Sequence, residues 1–149
     1  MRVYEARLEF TLVREGPCEL LNSPEKVASY MEGAFDDDPT IEWFYVVAVN
    51  RKNIPISRIV ITRGTATSSL VHPREVFRAV ILAGASGLIT VHNHPSGDPN
   101  PSSADIQVTR QLRDAGKTLG IELLDHVILG EPGGPSEKGF YSFREAGFL

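Results

Sequence analysis

Leu88-Ile89-Thr90-Val91-His92-Asn93-His94-Pro95-Ser96-Gly97-Asp98-Pro99-Asn100-Pro101-Ser102-Ser103-Ala104-Asp105 carries the most information in the chain. Leu88 to Val91 is a short apolar run of the kind that forms a buried strand, and it leads directly into His92-Asn93-His94. Pro95 to Pro101 contains three prolines and one glycine, the composition of an ordered but non-regular loop. Ser102 then caps a helix expected to reach about Lys117, with Ala104, Val108, Leu112, Ala115 and Leu119 as its apolar stripe. Strand, stiff loop and helix thus follow one another with polar residues at both joints.

Downstream, Ile121 to Gly130 reads as another strand, Glu131 to Gly139 as a Pro/Gly loop and Phe140 to Phe143 as a short final strand. Upstream, a helix is expected from Pro73 to about Ser86, with His72 at its entry, Gly87 as its stop and Val76, Phe77, Val80, Ile81 and Ala83 toward the core. Ile41 to Asn50 (IEWFYVVAVN) is apolar on both faces, as in a central strand covered on both sides. Arg51-Lys52-Asn53 turns into Ile54 to Thr62, where Pro55 marks an irregular start or an edge. Gly64 to Ser69 is a small-residue loop. Ser23-Pro24 starts a helix running to about Gly33, and Asp36-Asp37-Asp38-Pro39 reads as a solvated loop. Val3 to Val13 alternates loosely as a strand would, before the turn at Glu15-Gly16-Pro17. Helices and strands interleave without repeats or a linker, so the expected class is α/β or mixed α+β in a single domain over residues 1–149.

The 149 residues are 42% hydrophobic and 23% charged, an ordinary globular composition. A net charge of −4 argues against broad nucleic-acid or anionic-membrane binding, which needs a basic face. Arg110, Arg113 and Lys117 on one helix and Arg74 and Arg78 on another are the candidates for local basic patches, and solubility explains them equally well. No apolar run approaches the roughly 20 residues of a membrane helix, and the first ten residues lack a signal-peptide core. Cys18 is the single cysteine, an inert thiol by default, so no intrachain disulfide or multi-cysteine metal site can form. The expected location is the cytoplasm.

Two histidines at i and i+2 on a strand face the same way and can reach one ion. Asp105, in the first turn of the following helix, can supply an anionic third ligand favoured by the helix dipole. Two nitrogens and one oxygen leave a tetrahedral position open for water, as catalytic rather than structural zinc sites do. Ser102 lies near enough in sequence to offer its hydroxyl to that water or to an oxyanion. Asn93 and Ser96 are expected to fix the loop through backbone hydrogen bonds.

His92-x-His94-x7-Ser102-x2-Asp105 matches the H-x-H-x7-S-x2-D (JAMM) motif of the JAB/MPN metalloprotease superfamily. HNHPSGDPNPSSAD, VHPREVFRAV and LLDHVILG resemble its RadC-like branch, and the resemblance covers about residues 23–148. It implies a mixed sheet flanked by helices, related to the cytidine deaminase architecture, with one Zn2+ held by His92, His94 and Asp105. The known enzymes of the superfamily cleave peptide or isopeptide bonds, with a glutamate upstream of the H-x-H as general acid/base. Glu42, opening an apolar strand where a charge is costly, is the preferred candidate and resembles the family's E-x-F-type strand. Glu75, in the first turn of a helix, is the alternative, and Glu122 reads as solvent-facing. Asp125-His126 also recurs in the RadC-like pattern, and either residue could support a ligand from behind, as could Glu75. RadC proteins usually carry an N-terminal extension of helix-hairpin-helix character; none is expected within this sequence, which weakens any DNA-repair role tied to that extension.

Neighbouring chemistries are excluded by their own requirements. An HNH nuclease spreads those three residues along a ββα unit. A zinc deaminase needs two cysteines after its H-x-E, and a zincin needs H-E-x-x-H. Two readings remain. In the first, the protein is a zinc-dependent hydrolase acting on a peptide or protein substrate: Glu42 takes a proton from water, Ser102 helps hold the oxyanion, and Glu42 returns the proton to the leaving amine. In the second, the same fold serves as a non-catalytic metal-binding module in DNA-repair complexes. The intact ligand set favours the enzyme.

Overall fold

The computed structural model describes residues 1–7, 9–13, 15–17, 19–64 and 71–149. The apolar run after Ile41 forms β1 (Glu42–Val49), in which every residue after the first is buried. It pairs antiparallel with β2 (Pro55–Gly64) on one side and with β3 (Gly87–Asn93) on the other. β3 runs parallel to β4 (Glu122–Leu129), which pairs antiparallel with β5 (Phe140–Ser142). The order β2-β1-β3-β4-β5 makes a five-stranded mixed sheet, with Pro55 opening the edge strand where its missing N–H is tolerated.

Helix α1 (Pro24–Tyr30) starts as expected, with the Ser23 side chain accepting from the Lys26 N–H and proline in the first turn. Its Val27 and Met31, at the C-cap, pack on one sheet face with Trp43, Tyr45, Val47, Ile89, Val91 and Val127. Helices α2 (Pro73–Leu82) and α3 (Ser103–Leu119) cover the other face, placing Val76, Phe77, Val80, Val108 and Leu112 against Phe44, Val46, Leu88 and Leu123. Each such aliphatic side chain contributes about 1.5–3 kcal/mol on burial, so the two layers together fix where β3 ends. A register shift between Leu88 and Ile89 of β3 adds Leu124 to β4 as an extra residue. That bulge sends Leu123 to the α2/α3 face and Val127 to the α1 face, and it sets the side on which His126 lies.

Several boundaries and faces differ from the expectation. Helix α2 stops at Leu82 rather than near Ser86, because Gly84 takes a left-handed φ of 67° and turns the chain before Gly87 enters β3. Ile81 and Leu119 are about half exposed. The buried row of α3 is Asp105, Val108, Thr109, Leu112 and Gly116, so its inward face is centred on two polar residues that an apolar count passes over. The described part of Val3–Val13 forms no strand and is exposed; alternation supplies an apolar face but no partner edge meets it. Asp36–Asp38 lies in a turn, where Asp38 caps Thr40 and Asp37 pairs with Arg63. Gly64 belongs to β2, while the remainder of the Gly64–Ser69 loop and Cys18 lie outside the described residues. No helix of the described residues is long and apolar enough to cross a membrane.

Gly116 sits where α3 crosses the start of β4, and a Cβ there would press on the Ile121 carbonyl oxygen. Gly116→Ala is therefore expected to destabilise the fold by about 1–3 kcal/mol, although alanine is the better helix former by about 1 kcal/mol. Chemical denaturation measures the balance, and a stabilised variant would contradict the close approach.

Candidate functional site

Strand alternation explains the opening of the site. In β3, Leu88, Thr90 and His92 share the face covered by α2 and α3. His92 is 3% exposed and lies parallel to the ring of Phe44, its register partner on β1, with centroids 5.7 Å apart. His94 follows immediately after the strand, its N–H donating to the Leu129 carbonyl at 2.8 Å. Between them, the Asn93 side chain grips β1: its Oδ1 accepts from the Trp43 N–H at 2.8 Å and its amide donates to the Ile41 carbonyl at 3.0 Å. These two backbone groups flank Glu42.

The proline loop then folds back onto β4. The Gly97 N–H donates to the His94 carbonyl, the Glu131 N–H donates to the Gly97 carbonyl, and Gly130 leaves no room for a Cβ against that same carbonyl. This path brings the Asp98 carbonyl to His94 Nδ1 at 2.8 Å. At the helix start, the Ser102 hydroxyl accepts from the Asp105 N–H at 3.1 Å, while the Ser102 N–H and hydroxyl donate to Asp105 Oδ2 at 2.7 and 2.8 Å. This capping box turns the Asp105 carboxylate back toward the strand end.

His92, His94 and Asp105 meet as a result. His92 Nε2 and His94 Nε2 are 3.0 Å apart, His92 Nε2 is 3.3 Å from Asp105 Oδ1, and His94 Nε2 is 3.5 Å from Asp105 Oδ2. Ligand atoms about 2.0–2.1 Å from a small tetrahedral ion stand about 3.3 Å from one another, so the donor set fits such a cation. Among the described residues it is the one His/Cys/Asp/Glu group with this capacity. The Asp98 carbonyl can only accept, so His94 carries its Nδ1 proton there and turns Nε2 inward. Burial alone would raise the Asp105 carboxyl, but the two imidazoles and the Ser102 N–H hold it far below the usual carboxylate range. Burial would lower His94; hydrogen bonds to Asp105 and the Asp98 carbonyl, with the charges of Asp105 and Glu42, outweigh it and raise the imidazole.

Glu42 opens β1 two residues before Phe44 on the same face, so the β1–β3 register sets it beside His94. Its half-buried carboxylate makes no hydrogen bond or ion pair within the described residues. Glu75 stands apart, in ion pairs with Arg78 at 2.8 Å and Arg74 at 3.5 Å on the surface of α2. Glu122 is exposed at the opposite end of β4. His72 caps α2, its Nδ1 accepting from the Arg74 N–H. Ser96 accepts a long 3.4 Å bond from the Asp98 N–H. Arg113 pairs with Asp114, and the Arg110 guanidinium lies over the Phe148 ring.

Asp125 and His126 separate. As neighbours on a strand they face opposite ways. His126 is fully buried, stacked on Phe143 and 2.8 Å from His92, and burial with the His92 charge pushes its pKa well below the ordinary value. Asp125 instead accepts from the Ser142 hydroxyl, the Arg144 N–H and the His126 N–H, tying the C-terminal segment to β4. Thr109 and Asn93 are the contributors that sequence reading missed or gave a smaller part. A hydroxyl four residues after Asp105 on the buried side of α3 was the available signal for Thr109.

A helix-flanked mixed sheet with an H-x-H strand end and an aspartate in the next helical turn is the architecture of a JAB-type domain. The family model described as RadC-like JAB domain matches residues 21–148, and the chain belongs to that family. It is 54% identical over 105 residues to a UPF0758 protein of Caldanaerobacter subterraneus subsp. tengcongensis, covering 69% of this chain and 45% of the relative. A UPF0758 protein of Symbiobacterium thermophilum is 48% identical over 110 residues, covering 74% and 44%. One from Staphylococcus haemolyticus is 44% identical over 126 residues, covering 83% and 55%. The chain thus spans about half the length of these curated relatives.

Two outcomes are expected. Asp125→Ala leaves two buried donors and one part-buried donor without their acceptor and should cost about 2–4 kcal/mol, while cation affinity of the folded protein stays unchanged; a large loss of affinity would return Asp125 to the site. The second concerns pH. The raised His94 pKa contributes stability to the metal-free protein that is fully present below the ordinary 6.5 and is lost as pH rises through the higher folded value. A cation must displace that proton, so affinity should fall as pH drops through the same window. Cobalt titrations at about pH 8 and about pH 6 check this, and equal affinities would contradict it.

Proposed function

We propose that the protein is a zinc-dependent hydrolase of the JAMM type that cleaves a peptide or isopeptide bond in a peptide or protein substrate. The observation that carries this reading is the convergence of two imidazole Nε2 atoms and one carboxylate beside Glu42, whose carboxylate makes no hydrogen bond among the described residues. His92, His94 and Asp105 would hold the ion. When bound, zinc supplies Lewis acidity that lowers the pKa of water toward about 7 and polarises a carbonyl.

The chain's own residues supply the remaining steps. Glu42 takes a proton from the attacking water and delivers it to the leaving amine, a role suited to a carboxylate with no competing hydrogen bond among the described residues. Asn93 keeps Glu42 in reach by holding the backbone on both sides of it. Ser102 has a single hydroxyl proton, which is directed to Asp105 Oδ2. It orients the ligand at rest and reaches an oxyanion only by releasing that bond. The net charge of −4 and the pairing of Arg74, Arg78 and Arg113 with carboxylates speak against direct nucleic-acid binding. A single cysteine suits the cytoplasm.

Metal content of the purified, untagged protein by mass spectrometry is the first test. About one zinc per chain is expected, lost in His94→Ala and weakened in Asp105→Asn. No metal, even after zinc is offered, would favour the interaction-module reading. Glu42→Gln should keep its zinc and lose at least about 100-fold in peptide-cleavage rate; unchanged cleavage would remove Glu42 from the mechanism.

A further inference from the structure

Behind the ligand triad, a run of side-chain hydrogen bonds crosses from α3 through β4 to β3. Thr109 Oγ1 is 2.6 Å from the Asp105 carbonyl oxygen and 2.6 Å from His126 Nδ1. His126 Nε2 is 2.8 Å from His92 Nδ1. Thr109 and His126 are completely buried, and the rings of Phe143 and Phe44 close His126 off at 4.8 and 5.5 Å. Asp125 bonds only the backbone N–H of His126, and among the described residues the ring's hydrogen-bond partners are Thr109 and His92, so this enclosed imidazole stays neutral and carries one proton.

The direction of every proton in the run follows from its first member. A carbonyl has no proton to give, so the single hydroxyl proton of Thr109 lies toward Asp105. Thr109 Oγ1 is then an acceptor for His126, whose proton must sit on Nδ1. That leaves His126 Nε2 as a bare lone pair, which can be approached at 2.8 Å only by a proton on His92 Nδ1. His92 Nε2, facing His94 and Asp105, is consequently the nitrogen left free. We propose that Thr109 and His126 form a one-way hydrogen-bond chain that sets the tautomer of His92 and so makes its Nε2 available to a metal ion. The chain begins and ends on Asp105: its carbonyl orients Thr109, and its carboxylate meets the nitrogen that the chain exposes. Thr109 and His126 are positioning residues, and the inference deepens the proposed metal site.

The tautomers can be read without metal or substrate. Long-range proton–nitrogen NMR of the 15N-labelled, metal-free wild type should show a neutral His126 protonated at Nδ1 and a His92 that carries a proton at Nδ1. A proton on His126 Nε2 would overturn the chain. Zinc affinity, measured by chelator competition, should fall about 10–100-fold in Thr109→Val, which keeps the shape but removes the hydroxyl, and recover in Thr109→Ser. Equal affinity in wild type, Val and Ser variants would also overturn it. If the valine variant does not fold, the wild-type spectrum alone decides. A wild type that takes up no zinc refutes the metal site while the NMR result still judges the chain, and a zinc-loaded protein that cleaves nothing refutes only the hydrolase.

Discussion

The constraint on which the rest depends is that β3 is buried on both faces along its whole length, Gly87 to Asn93. A strand in that position has no solvent-facing side on which to put polar residues, so each one must find a partner inside the protein. His92 finds Phe44, His126 and Asp105; Asn93 finds the backbone of β1. Thr90, on the same face as His92, has a buried hydroxyl with no partner among the described residues. Because β1 and β4 flank β3, the satisfaction of its polar end fixes Glu42 on one side and His126 on the other.

That geometry explains which parts of the site were legible in the sequence. His92, His94 and Asp105 could be assembled from local rules alone: period two on a strand, a stiff loop, and a cap that places Asp105 in the first helical turn. Glu42 needed one long-range fact, the antiparallel register pairing Phe44 with His92. Glu75 stayed an alternative because a sequence cannot show that its carboxylate is engaged by Arg74 and Arg78. Asp125-His126 read as a pair, but adjacent strand residues diverge, and the Leu124 bulge decided which of the two would face the triad. The Thr109 hydroxyl, four residues after Asp105, could be seen in the sequence, but its significance depends on a helix and a strand meeting.

The fold shows the same division. Central β1, edge β2 and the entries of all three helices follow from composition and caps. The inward face of α3 does not, since Asp105 and Thr109 occupy it on account of the site rather than of hydrophobicity. The described residues of Val3–Val13 form no strand despite the right alternation, and alternation alone does not make one. Membership of the RadC-like JAB family agrees with this architecture, while the relatives' greater length leaves the remaining half of their chains outside what this domain describes.

Asp105 shows how structural and functional demands coincide. As the third residue of α3 it completes a capping box, which by itself accounts for an acidic residue at this position. The carboxylate is nevertheless 2% exposed and has two imidazoles within 3.5 Å, an environment that a cap does not require. An exposed cap would serve the helix at lower desolvation cost. Burying the group beside two nitrogens whose lone pairs face inward concentrates negative potential at one point, and only a proton or a cation relieves it. Below its raised pKa, the second proton of His94 fills that role in the metal-free protein, and a bound cation, by taking its place, would couple metal occupancy to the stability of the strand end and the helix start together.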